Sequence, residues 1–538
     1  MPARRLSLIL LCLFTAIAAW NLFLGQGLDS DIGADPDEPA HAVTSLMIRD
    51  YLGGGFMQSP MEFAKRYYAD FPKVALGHYP PVYYLVAGVA LLVWTQPETL
   101  IVLQYLIAIA IAWMTARLGR NLLAIRLGPG TTPVPLPLQV APGFFAGAIT
   151  LTLPLMVKIQ SLVMADLLLT LIVSLAVWAW VVFLQAPSAK RSLIFGVLAT
   201  TAILTKGSGL LLGAVPVVSV VLLRRWSLLK DWRWWIAGVP VGLFAFPWML
   251  VTAKITREGM VETPLSAFVR EALTFYQEAI PASCGMFFTV CVVLGLIMLI
   301  QKSWQRRLSD MEAVLLSLII GGAAIMLGVP AGVSTRYLAP LVPALVIMAM
   351  LGCHWTVAFI LQKHPHLHSP LFGLACLILL SSVHQTLPTQ EVHGFSTAVE
   401  KVMPASFPET QTHWLVSSDP RGEGGIIAEA AFRLPHRSPS PLRLHRAGKD
   451  LGTSDWLGRG YETAYKTEAD ILARLDELGI TTTFLDASMP ADRRPPHHEL
   501  LAKALLSAPQ RWQLIQKIPI ARPFDVKGEM LIYQATRR

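Results

Sequence analysis

Eleven apolar runs constrain what this chain can fold into. They lie at about residues 6–24, 98–117, 141–158, 166–185, 191–206, 207–223, 234–253, 284–301, 311–330, 337–361 and 370–388. Each approaches the roughly 20 apolar residues that a helix needs to cross a bilayer. Lipid offers no water to backbone amides, so such a run closes its hydrogen bonds on itself as a helix. The segment 80–95 is also apolar, but it is shorter and led by Pro80-Pro81; it reads as a helix lying along or dipping into the membrane. Hydrophobic residues make up 54% of the 538 and charged ones 15%, where a soluble domain carries about 25% charged. The fold class expected is an α-helical polytopic membrane protein of about 11 spans over residues 1–388, followed by a soluble α/β domain over 389–538.

Charge sets the orientation. The net charge of +9 is spread over short connections, where Lys and Arg fix topology, so it is no nucleic-acid footprint and nucleic acid is excluded as a partner. With the N-terminus inside and 80–95 not crossing, the inside loops hold 15 Lys and Arg and the outside segments 10. Residues 1–24 carry no small-residue cleavage site and continue through Trp20-Asn21-Leu22-Phe23, which reads as an uncleaved first span. Eleven crossings then place the protein in the plasma (inner) membrane with its C-terminal domain extracytoplasmic. That tail has 19 Lys and Arg against 18 Asp and Glu. Strands are expected at 413–417, 481–486, 512–520 and 529–534, and helices at 426–432 and 469–478. All five cysteines fall in or beside apolar runs, so neither a disulfide framework nor a zinc site is expected in the tail.

Between the first two spans the chain turns acidic: residues 25–80 carry eight Asp and Glu, and hydrocarbon excludes them. Within this outer loop, 25–97, lies Asp35-Pro36-Asp37-Glu38-Pro39-Ala40-His41. A carboxylate near a low-dielectric face makes a serviceable general base; the plainer reading is a solvated loop with prolines setting its turns. Gly77-His78-Tyr79-Pro80-Pro81 opens the surface helix, where His78 and Tyr79 could hold a phosphate or a sugar, or simply join an interfacial aromatic belt. Asp166 begins a span and could cap it. Lys206 and Arg336 stand at span ends, where a cation either snorkels to the interface or meets an anion. Two weaker features are Asp419-Pro420-Arg421-Gly422-Glu423-Gly424-Gly425, read as a plain Gly-rich loop, and His364, His366 and His368, which lack acidic or Cys partners for a metal.

The order of these motifs on one membrane face resembles the GT-C superfamily of integral-membrane glycosyltransferases. The likeness is to the bacterial branch related to protein O-mannosyltransferases and to the aminoarabinose transferase of lipid A. It spans roughly residues 5–360, and its carriers are Asp37-Glu38-Pro39-Ala40-His41, His78-Tyr79-Pro80-Pro81, Ala165-Asp166-Leu167, Thr205-Lys206-Gly207 and Arg336-Tyr337-Leu338-Ala339-Pro340. The resemblance implies an inverting transfer of a sugar from a polyprenyl-phosphate carrier to an envelope glycan, lipid or protein acceptor at the outer face. It assigns Asp37 as general base, with Glu38 and Asp166 as further acidic groups, and gives the donor phosphate to His78, Tyr79, Lys206 and Arg336. His78-Tyr79 stands where the aminoarabinose branch has Glu-Lys, which puts that sugar and lipid A in doubt. No cofactor is called for, although the acidic loop could hold a divalent cation. The rival classes are a lipid-linked sugar flippase, which would want polar groups at mid-membrane, and a noncatalytic envelope assembly protein.

Overall fold

The computed structural model describes residues 3–123, 136–383, 391–434, 440–454, 459–523 and 526–536. Among them seven helices are long and apolar enough to cross a membrane: Ser7–Leu24, Pro97–Leu122, Asp166–Gln185, Trp232–Glu258, Met286–Trp304, Asp310–Gly328 and Thr335–Ile360. An eighth candidate is broken, Ala141–Thr152 meeting Pro154–Gln160 at 61°. The cause is local: Leu153 is extended (φ −60°, ψ 127°), as a residue before proline prefers, and Pro154 starts the second piece. The remaining expected spans become shorter helices, Ala189–Ile203, Gly207–Leu223 and His368–Val383. Positions 384–388 and Arg126 lie outside the described residues. The helix expected at 80–95 forms over Val82–Val93.

The tail folds as a mixed sheet of five strands, drawn from β1 (Thr412–Ser417), β2 (Leu442–Arg446), β5 (Ile480–Asp486), β6 (Trp512–Arg522) and β7 (Val526–Ala535), in the order β2-β1-β5-β7-β6. β3 (Gly452–Thr453) and β4 (Glu462–Thr463) make a separate hairpin. β1 runs parallel to β2 and β5, while β7 is antiparallel to β5 and β6. All four expected strands are present, with Trp414 and Phe484 packed 5.4 Å apart between ring centroids. One helix differs from expectation. It starts at Pro420, six residues early, and absorbs the Gly-rich stretch. Asp419 caps it by accepting the Gly422 amide at 2.9 Å, and proline at the first helical position costs no hydrogen bond.

That helix brings the two parts of the chain together. A Cβ at Gly424 would stand 2.8 Å from Pro39 Cβ and 2.9 Å from Lys73 Cε, so only glycine lets the helix lie this close to the first loop. Around the contact, Lys73 Nζ donates to the Pro420 carbonyl at 3.2 Å. Asp31 donates its amide to Val392 O at 2.7 Å, and its carboxylate accepts the amides of Phe395 and Ser396 at 2.8 and 3.2 Å. Asp70 accepts from Gln411 and Arg443 at 3.0 and 3.2 Å. The tail is seated directly on the acidic loop.

Candidate active site

Asp37 precedes the Glu38–Asp50 helix, which is buried almost throughout. Its carboxylate accepts from Tyr79 Oη at 3.0 Å and from Arg336 Nη2 at 3.1 Å. Arg336 also reaches Asp35 Oδ1 at 3.7 Å, and Asp35 Oδ1 in turn accepts the Asp37 amide at 3.0 Å. Ser334 accepts the Arg336 amide and opens the 3-10 turn Thr335–Leu341 that delivers the guanidinium. Burial pushes the Asp37 carboxyl up, but the charge of Arg336 and the bonds from Arg336 and Tyr79 outweigh it and hold it below the ordinary aspartate value. Asp37 is therefore ionised at neutral pH.

Beside this trio lies a second pair. Asp166 is 1% exposed and Lys206 7%, and Lys206 Nζ donates to Asp166 Oδ1 at 2.7 Å. Asp166 is the first residue of its helix after Ala165, and its side chain serves the ion pair rather than the cap. The other oxygen, Oδ2, is buried without a partner among the described residues. Lys206 sits on an extended residue between Ala189–Ile203 and the 3-10 turn Gly207–Gly213. Gly209 makes that turn possible, since a Cβ there would lie 2.5 Å from the Ala202 backbone. The ammonium also faces the rings of Tyr337 and Tyr79, at 5.3 and 6.0 Å from their centroids.

Glu38, adjacent in sequence, is engaged elsewhere. Its Oε2 accepts the amides of Gly33 and Ala34 and its Oε1 that of Val163, all at 3.0 Å. Burial raises this carboxyl to about 7 against the pull of those three amides. The side chain ties the acidic loop to the start of the Asp166 helix. His78 is half-buried, and burial lowers its imidazole pKa against the carboxylates of Glu258 and Asp37. Asp37, Tyr79, Arg336, Asp166 and Lys206 form one cluster, with His78 at its edge and Glu38 in the scaffold beneath.

Two participants carry no assignment in the sequence reading. His41 is buried one helical turn after Asp37, with Nδ1 3.1 Å from Tyr84 Oη and its ring against Tyr79, Tyr83 and Tyr84 at 4.7, 5.4 and 5.6 Å. Burial drives its pKa down to about 4, so it stands neutral and fixes the tyrosine wall. The i, i+4 spacing from Asp37 was the available signal. Lys73 is the other. Burial, then the charge of Arg446, lower it to about 8, and it lies within the fields of Asp37 and of Glu423 and Asp419 in the tail. Among the described residues no group of three or more His, Cys, Asp or Glu is placed to hold a metal ion.

No protein-family model and no curated protein sequence matches the chain. Solved structures do. ArnT from Cupriavidus metallidurans bound to undecaprenyl phosphate aligns with a TM-score of 0.54 at 14% identity, over 98% of this chain and 99% of that one. The archaeal oligosaccharyltransferase AglB from Archaeoglobus fulgidus, in complex with an inhibitory peptide and a dolichol-phosphate, aligns at 0.53 and 12% identity, over 97% of this chain and 74% of that one. The architecture is thus the GT-C fold that the motifs led us to expect, and it extends through the C-terminal domain as well as the spans.

Proposed function

We propose that this protein is a glycosyltransferase that moves a sugar from a polyprenyl-phosphate carrier to an envelope glycan, lipid or protein acceptor at the outer face of the plasma membrane. The observation that carries the reading is the meeting of Asp37, Tyr79 and Arg336 with the buried Asp166–Lys206 pair, from five separate points of the chain. A base lies beside two cations at the end of a membrane bundle, in a fold whose solved examples hold undecaprenyl phosphate and dolichol-phosphate.

The chemistry is a single displacement. The acceptor oxygen or nitrogen attacks the anomeric carbon, its proton passes to an Asp37 oxygen, and the bond from the anomeric carbon to the phosphate oxygen breaks with its electron pair leaving on polyprenyl phosphate. The anomeric centre inverts. Arg336 and Lys206 offset the charge that develops on the departing phosphate. In the free protein both cations are engaged by Asp37 and Asp166. A donor phosphate that draws Arg336 toward itself frees the Asp37 oxygen and raises its basicity, so the base becomes competent as the donor arrives. Glu38 and His41 act by holding the loop and the tyrosines.

Purified protein given a radiolabelled polyprenyl-phosphate sugar and an envelope extract should move label into an acceptor and release polyprenyl phosphate. Movement of intact labelled lipid across a vesicle membrane without transfer would instead identify a carrier.

A further inference from the structure

At the other end of the bundle from this site lies a cavity of about 1520 Å³. The Asp166–Gln185 helix carries Asp166 at one end and the cavity residue Gln185 at the other, a length of about 30 Å. The transfer reaction therefore does not use this space. Its wall is graded. Leu122, Met298 and Leu351 supply an apolar part, while the amides of Gln185, Gln301 and Gln305 and the cations Lys302 and Arg307 line the rest. Trp178 and Trp355 add the amphipathic rings that favour the membrane–water boundary.

The charges are set up to leave donors available. Lys302 pairs with Glu312, whose second oxygen accepts from the Ser309 amide and hydroxyl at 2.8 and 2.9 Å. Asp310 pairs with Arg225 at 2.6 Å. Both carboxylates are thereby neutralised, and Arg307 adds a positive charge beyond these pairs. His368 stands edge-on to His354, with 4.6 Å between ring centroids, and its Nε2 is buried without a partner among the described residues. We propose that this cavity binds the headgroup of a phosphate-bearing membrane lipid, with the phosphate at Arg307, Lys302 and His368 and the start of the acyl chains against Met298 and Leu351. Basic pockets between helices at the cytoplasmic end of a bundle take anionic lipid in this way, and the loop charges put this end inside. The proposal stands apart from the transfer reaction at the opposite end.

The test uses the full-length protein in nanodiscs of phosphatidylcholine with phosphatidylglycerol, followed by native mass spectrometry after extraction. One phosphatidylglycerol should remain bound; Arg307→Gln should lower its occupancy about fivefold through the lost charge, and adding His368→Gln should lower it further by removing the imidazole. Diacylglycerol should not be retained, and glycerol phosphate should not displace the lipid. Equal retention in the variant, or retention of diacylglycerol, overturns the proposal. Displacement by glycerol phosphate overturns the lipid and leaves a site for soluble phosphate. If the first variant fails to fold, Gln301→Leu with Gln305→Leu at the exposed rim decides the matter, since it must also weaken retention.

Discussion

Asp37 and Arg336 are 299 positions apart and in direct contact. Their residue types and span-end positions made both legible as candidates, because a charge at a membrane edge needs a reason to be there. What the sequence did not reveal was who pairs with whom. Asp37 and Glu38 are neighbours, yet one faces Arg336 and the other turns back on the amides of Gly33, Ala34 and Val163. Only the path of the loop separates these fates. Lys206 and Asp166 were likewise legible as charges but not as partners. The pairing of Arg336 with Asp37 has a measurable consequence. Removing the guanidinium leaves burial as the leading influence on Asp37, so its pKa rises. In Arg336→Gln the acid limb of the kcat/KM profile should therefore move to higher pH, and affinity for the polyprenyl-phosphate sugar should fall more than affinity for the acceptor. An unmoved limb with weakened acceptor binding would contradict the assignment.

Elements built on strong local patterns were readable, and those set by packing were not. Alternation and β-branched residues marked β1, β5, β6 and β7. β2, Leu-Arg-Leu-His-Arg, escaped because its charged residues mask the apolar pair Leu442 and Leu444 that face the core. The stretch Gly422–Gly425 looked like a turn because glycine disfavours helices by about 1 kcal/mol. Here that cost is accepted for close approach: a Cβ on Gly425 would lie 2.5 Å from the Phe395 ring and 2.8 Å from Ile32 O, in addition to the contacts of Gly424. Gly424→Val should thus push the helix off the first loop, lowering stability by about 1–3 kcal/mol and slowing transfer, as thermal unfolding and turnover would record. Gly373→Val is the matched control, since nothing lies within 4 Å of a Cβ there. Equal losses in the two variants would show that the effect does not come from the seam.

At the scale of the whole molecule, hydropathy located the membrane segments and blurred their lengths. The 61° bend after Thr152 and the 3-10 turn at Gly207–Gly213 arise from proline and glycine within otherwise apolar runs, where a window average sees little. A tail domain covering the site, or guiding the acceptor to it, could be expected from the sequence, but the residues that seat it on the acidic loop could not, because the contacts join residues more than 300 positions apart, as between Asp31 and Phe395. If the site faces outward, so does the domain resting on it. Cysteines at the exposed positions Thr453 and Ser507 should react with a membrane-impermeant thiol reagent in intact cells; reaction only after lysis would reverse the topology. The most direct test of the account is single-turnover sugar transfer by Asp37→Asn beside the native protein, with donor affinity measured on both. Asparagine keeps the shape and one accepting oxygen but cannot take the proton, so transfer should fall about 10²–10⁴-fold while the donor still binds. Transfer at the native rate in Asp37→Asn would contradict the account.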